Sequence, residues 1–145
     1  CFLYAQFENA EIITQTRREL FFRYVELLSP LAQKGFFELP HYQEESHFNG
    51  HMFYLITKSL AERTALIGFL KSKEILSVFH YVPLHSSPAG KKFGRPFGEL
   101  PVTNSVSERL IRLPFYYELS ADDQRKIAQA IGEFYESRHR KKMSG

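Results

Sequence analysis

The hexapeptide His80-Tyr81-Val82-Pro83-Leu84-His85 sets two imidazoles and a phenol close together in the chain. Such groups hydrogen-bond hydroxyls and phosphate oxygens, and a histidine whose pKa is about 6.5 also moves protons near neutral pH. The segment ends the β-branched and aromatic run Ile75 to Tyr81. It therefore stands at a strand end, where a scaffold fixes side chains while a ligand still has access. The competing reading is a capped strand whose histidines bond backbone carbonyls. His41, His47 and His51 invite a metal reading, but Asn49-Gly50 breaks the helix that would bring His47 and His51 to one ion, and no cysteine pair supports them. No metal is expected.

Other chemistry is sparse. The chain has no GxSxG, no cysteine beside a base and no glycine-rich phosphate loop, so no catalytic residue is assigned. Lys91-Lys92-Phe93-Gly94-Arg95 could hold phosphate by charge, although an exposed lysine pair is more often only solvated. Arg138-His139-Arg140-Lys141-Lys142 reads as a fraying basic tail without the aromatic platform that nucleic acid binding uses. With Lys+Arg 19 against Asp+Glu 16, the net charge of +3 is too weak to name nucleic acid as a partner.

The elements that must position the hexapeptide follow from periodicity. From Phe2 to about Lys34, Leu3, Phe7, Ala10, Ile13, Leu20, Tyr24, Leu27 and Leu31 recur at helical spacing, which predicts one long amphipathic helix. Ser29-Pro30 should kink or restart it, and Gly35 is placed to end it. Pro40 to Gly50 is aperiodic and reads as a loop. Met52 to Thr57 reads as a strand covered from two sides, and Ser59 with Glu62 as the capping box of a helix running to about Lys73. The strand Ile75 to Tyr81 comes next, halted by Pro83, and Ser86 to Pro101 reads as a long surface loop. Ser105 with Glu108 predicts a short helix ending at Leu113-Pro114, and Ser120 with Asp123 a last helix carrying Ile127, Ile131, Phe134 and Tyr135. Strand, helix and strand in this order favour a parallel crossover.

At 145 residues, 43% of them hydrophobic, the chain is long enough for one α/β domain with a core that needs no disulfide. Cys1 is its single cysteine, which favours a reducing, cytoplasmic compartment. No stretch approaches the roughly 20 apolar residues of a membrane helix, so no membrane partner is expected. The opening Cys1-Phe2-Leu3-Tyr4-Ala5 lacks an initiator methionine and a basic leader, which reads as a chain entered in mid-helix, a fragment or a processed product.

One run of residues carries a resemblance. Ala5-Gln6-Phe7-Glu8, Thr16-Arg17-Arg18 with Tyr24, His51-Met52-Phe53-Tyr54, Phe79 through His85, Ser107-Glu108-Arg109-Leu110, Leu113-Pro114 and Leu119-Ser120 follow one another across nearly the whole chain. In this order they resemble the C-terminal part of the DegT/DnrJ/StrS sugar aminotransferases, and Ser86 to Gly94 is most similar to members that make dTDP-4-amino-4,6-dideoxygalactose for enterobacterial common antigen. The resemblance implies the small domain of the aspartate-aminotransferase fold, α/β (α+β): a long N-terminal helix over residues 1–36, a short, mainly antiparallel sheet covered by helices over 37–137, and a basic tail over 138–145. It implies transfer of an amino group from glutamate, by way of pyridoxal phosphate, to the C4 ketone of a dTDP-4-keto-6-deoxyhexose in a homodimer. Family members hold the cofactor in a large N-terminal domain, and no lysine here lies in their Ser-x-His-Lys setting, so the isolated chain is expected to be inactive. Phe79, His80, Tyr81 and His85 are the implied substrate contacts. Arg109 reads either as a carboxylate or phosphate ligand or, preferably, as a structural ion pair. The alternative to all of this is a stand-alone, non-catalytic nucleotide- or protein-binding module.

Overall fold

In the computed structural model, which describes residues 2–42 and 48–143, the N-terminal apolar stripe forms two helices where the periodicity predicts one. Helix α1 spans Phe2–Phe7 and α2 spans Ala10–Gln33. Asn9, a residue type that favours non-helical cap positions, stands between them. Pro30 does not restart α2, which passes through it. The proline removes one N–H on an exposed flank near the helix end, and burial of Leu28 and Leu31 on the opposite side keeps the last turn in place. Gly35 then ends the helix at φ +73°, with its N–H on Ala32 O and that of Phe36 on Leu31 O, the paired bonds of a Schellman cap.

Helix α3, Leu60–Ser72, starts where predicted, with Glu62 N donating to Ser59 Oγ at 3.2 Å. The sheet is smaller than predicted: β1 is Tyr54–Ile56, β2 only Val78–Phe79, and β3 Leu110–Arg112. Their order is β1-β3-β2, with both outer strands antiparallel to β3. The β1-α3-β2 passage is therefore split, because β3 occupies the slot that a parallel neighbour would fill. The expected parallel crossover is corrected on this point, and the short, mainly antiparallel sheet covered by helices stands.

The source of β3 was misread as a helix end. Pro101 occupies the first turn of α5, Pro101–Arg109, which puts Ser105 inside the helix and not at its cap. The backbone turns extended at Leu110, and Ile111 enters the core. The predicted loop after Ser86 also contains order: a 3₁₀ turn at Leu84–Ser86 and helix α4, Pro88–Phe93, capped by Ser87 Oγ.

Phe21, Tyr24, Leu28 and Leu31 of α2 meet Ile127, Ile131, Phe134 and Tyr135 of α6, Ala121–Met143, over the inner face of the sheet. Two buried polar groups tie α6 to its neighbours, Gln124 to α2 and Tyr135 to α3. Gln124 Nε2 donates to Leu20 O at 2.8 Å while its Oε1 accepts from Arg23, and Tyr135 Oη donates to Glu62 at 2.8 Å. Helix α6 continues through the basic run to Met143, where fraying was expected, with Glu136 paired to Lys34 at 3.7 Å and Arg138 over the Phe134 ring. No described helix is long and apolar enough to cross a membrane. His47 and the centre of its predicted loop lie outside the described residues, and no three described His, Cys, Asp or Glu side chains form a metal cluster.

Candidate functional site

Register places Tyr54, Arg112 and Val78 side by side across the three strands, and Leu55, Ile111 and Phe79 in the next row. Successive strand residues point to opposite faces, so the two rows look to opposite sides of the sheet. The predicted contact residues Phe79, His80, Tyr81 and His85 are divided accordingly. Arg112 Nη1 donates to His80 Nδ1 at 3.1 Å and to Tyr81 Oη at 3.3 Å, and the His80 and Tyr81 rings lie 3.9 Å apart. Phe79, 45% exposed, instead lies under the Arg63 guanidinium of α3 at 5.2 Å. Arg63 is anchored to Ser107 O at 2.8 Å, and burial lowers its pKa against the pull of Glu108. His85 belongs to a third place, donating from Nε2 to Asn104 Oδ1 of α5 at 2.8 Å. Thus the structure joins His80 with Tyr81, turns Phe79 to the other face, and uses His85 to tie the 3₁₀ turn to α5.

Between the hexapeptide and α5 lies an open groove of about 650 Å³. Val82, Leu84, Val102 and Val106 line it together with His80 and Tyr81. Burial, then the Arg112 charge, then His51 lower the His80 pKa, which favours the neutral imidazole. Neutral imidazole, phenol and guanidinium at one end of an apolar trough suit a ligand with oxygen acceptors and an apolar body.

Sequence reasoning missed Arg112 and gave His51 no part in this site. Arg112 carried no local signal, since Leu110-Ile111-Arg112-Leu113 has no alternation and its partners come from strands distant in the chain. His51 is brought near by Arg17, which donates to Gly50 O at 3.0 Å and His51 O at 2.5 Å while lying 5.0 Å over Phe115. Gly50 adopts φ +59°, and a Cβ there would stand 2.8 Å from the Arg17 backbone, so the close approach requires glycine. Arg109 takes the structural option: it pairs with Glu38 at 3.3 Å and donates to Thr57 O. Lys91 and Lys92 are exposed on α4.

Pyridoxal phosphate does not fit the described residues. A Schiff-base lysine needs a desolvated amine or a neighbouring cation. Here Lys34, Lys58, Lys71, Lys73, Lys91, Lys92 and Lys126 are all exposed, and three of them pair with Glu136, Glu133 and Asp123.

Known proteins match this arrangement. Over 86 residues the chain is 31% identical to a "Pleiotropic regulatory protein" of Geobacillus stearothermophilus, covering 59% of this chain and 23% of that one. It is 29% identical over 119 residues to the dTDP-3-amino-3,4,6-trideoxy-alpha-D-glucose transaminase of Micromonospora megalomicea subsp. nigra, covering 81% of this chain and 31% of the relative. The crystal structure of S. venezuelae DesV in complex with a ketimine intermediate superposes with a TM-score of 0.81 at 25% identity, over 92% of this chain and 34% of that one. The chain thus spans about a third, or less, of the length of these relatives. The sequence pattern of one family runs through residues 1–132, across the split sheet, the Arg112 cluster and most of α6, and by that match the chain belongs to the DegT/DnrJ/EryC1/StrS aminotransferase family.

Proposed function

We propose that this chain is the small C-terminal domain of a sugar-nucleotide aminotransferase, with residues 1–36 as the linking helix, 37–137 as the small domain and 138–145 as a basic tail. The proposed reaction of the whole enzyme, a cytoplasmic homodimer, moves an amino group from glutamate to the C4 ketone of a dTDP-4-keto-6-deoxyhexose for surface polysaccharide or common-antigen synthesis. Pyridoxal phosphate is bound outside the described residues, so the chain alone is inactive. One observation carries this reading: His80, Tyr81 and Arg112 converge at the head of an apolar-walled groove in a member of an aminotransferase family. The dTDP-sugar specificity named for the Micromonospora relative supports the substrate class. His80 and Tyr81 contact the nucleotide sugar, Phe79 braces the strand end from the other face through Arg63, and His85 holds the groove wall to α5.

The test uses the enzyme encoded by the complete reading frame. Tyr81→Ala is expected to lower kcat/KM for the nucleotide sugar about tenfold, the loss of one ligand hydrogen bond. An unchanged kcat/KM would remove Tyr81 from the site. The sequence upstream of Cys1 discriminates more broadly: a frame with a Schiff-base lysine motif supports the proposal, and an initiator methionine directly before Cys1 overturns it in favour of a stand-alone binding module.

A further inference from the structure

We infer that Arg112 is a positioning residue that locks His80 in the neutral tautomer with its proton on Nε2, by donating an N–H of its guanidinium to His80 Nδ1. An arginine stays protonated and offers only donors, so the imidazole nitrogen 3.1 Å from Nη1 must be the acceptor. The single proton of the neutral ring then resides on Nε2, which has no hydrogen-bond partner among the described residues, on a ring that lines the groove. The same Nη1 donates its other N–H to Tyr81 Oη, leaving the phenol proton free to turn toward a ligand. Arg112 thereby converts two amphoteric groups, each able to donate or accept, into a pair of donors.

The charged and titratable groups that face His80 come from two further elements: Arg112 at the end of β3, and His51 in the segment before β1. Both oppose a second proton on the ring, as does its own burial, and no carboxylate acts on it from the described residues. These influences all favour the neutral, donating form of His80. The ligand chemistry it selects is an oxygen acceptor such as a sugar hydroxyl, a carbonyl or a phosphate oxygen. The tautomer follows from geometry alone; its use toward a nucleotide sugar rests on the function proposed above.

The experiment is a long-range proton–nitrogen correlation spectrum of the isotope-labelled 145-residue chain from about pH 5 to 8. The expected wild-type result is a bare Nδ1 and a protonated Nε2 at His80 from neutral pH upward. Arg112→Met should give averaged shifts at both nitrogens and move the titration midpoint upward. Tyr81→Phe should leave the tautomer in place, and Arg112→Lys should restore part of it. A proton on Nδ1 in the wild-type chain overturns the inference without any variant, so a poorly folded Arg112→Met cannot hide the answer. An unchanged His80 spectrum in folded Arg112→Met overturns it too. Adding a dTDP-sugar to the labelled enzyme of the complete reading frame separates the two readings. If His80 carries the Nε2 proton but does not respond to the nucleotide sugar, the positioning role stands and the substrate assignment falls.

Discussion

Around β1 the aromatic side chains are sunk: Tyr24 is 0% exposed, its ring stacks on Phe53 at 4.8 Å, and Phe53 meets Phe21 edge-on at 5.0 Å. Between His80 and Val102 the reverse holds. Leu84 is 85% exposed, Phe97 100%, and Phe93 and Val102 are nearly as open. The first region closes its own surfaces, and Gln124 and Tyr24 place their buried polar groups on the Leu20 and Pro114 carbonyls. In the second, apolar side chains surround the polar head of a groove and are not covered by the described residues, the character of a surface built to meet something else. The difference teaches that the residues that seal the core and the residues of the proposed binding groove are largely separate sets.

That division is most severely strained by cutting into the first set. Phe53→Ala would remove a fully buried ring that touches both Tyr24 and Phe21, and should cost about 3–5 kcal/mol. Against the roughly 5–15 kcal/mol that holds a typical domain, this is a large share. Urea unfolding followed by circular dichroism should show the midpoint fall sharply with an unchanged slope. A small shift would mean that the sheet and α2 do not share one core.

The same contrast explains what could be read from the residues alone. Helices α3 and α6 were legible because Ser59 and Ser120 each sit three residues before a carboxylate that completes the cap, a local signal that tertiary contacts did not override. Strand β3 was not legible. Three residues between a helix and Leu113-Pro114 show no clear period, and their pairing partners lie more than thirty residues away in the chain, at Val78 and Tyr54. The site suffered from the same blindness. Phe79, His80, Tyr81 and His85, near one another in sequence, form one expected set of contacts, whereas pleating sends Phe79 and His80 to opposite faces, and the residue that organises His80 arrives from β3. Arg112 could be found only by pairing strands.

A gentler probe acts on the polar seams of the core. Burial raises the pKa of Tyr24 well above the usual phenol value, and burial with the Glu62 contact does the same for Tyr135. Both groups are therefore protonated in the folded state at pH values where the unfolded chain has begun to ionise. Their contribution is complete below about pH 10, the pKa of a free phenol, and is lost as pH rises through the higher folded values. Denaturation midpoints should accordingly stay level to about pH 10 and then fall. Tyr24→Phe should cost about 1 kcal/mol at neutral pH, by leaving Pro114 O without its donor, and should make the alkaline fall shallower. An equally steep fall in the variant would place the alkaline sensitivity elsewhere.

The smallest stability effect belongs to the second region and sharpens the comparison most. Phe97 is fully exposed and meets no aromatic ring among the described residues, so Phe97→Ser should change stability by no more than about 0.5 kcal/mol. Exposed aromatic side chains still drive association, because covering one removes apolar area from water at roughly 25 cal/mol per Å². Self-association of the chain at high concentration, read by sedimentation, should therefore weaken in Phe97→Ser while the urea midpoint stays put. If the midpoint fell instead, Phe97 would be part of the fold and the division between a sealed set and an offered set would be drawn in the wrong place.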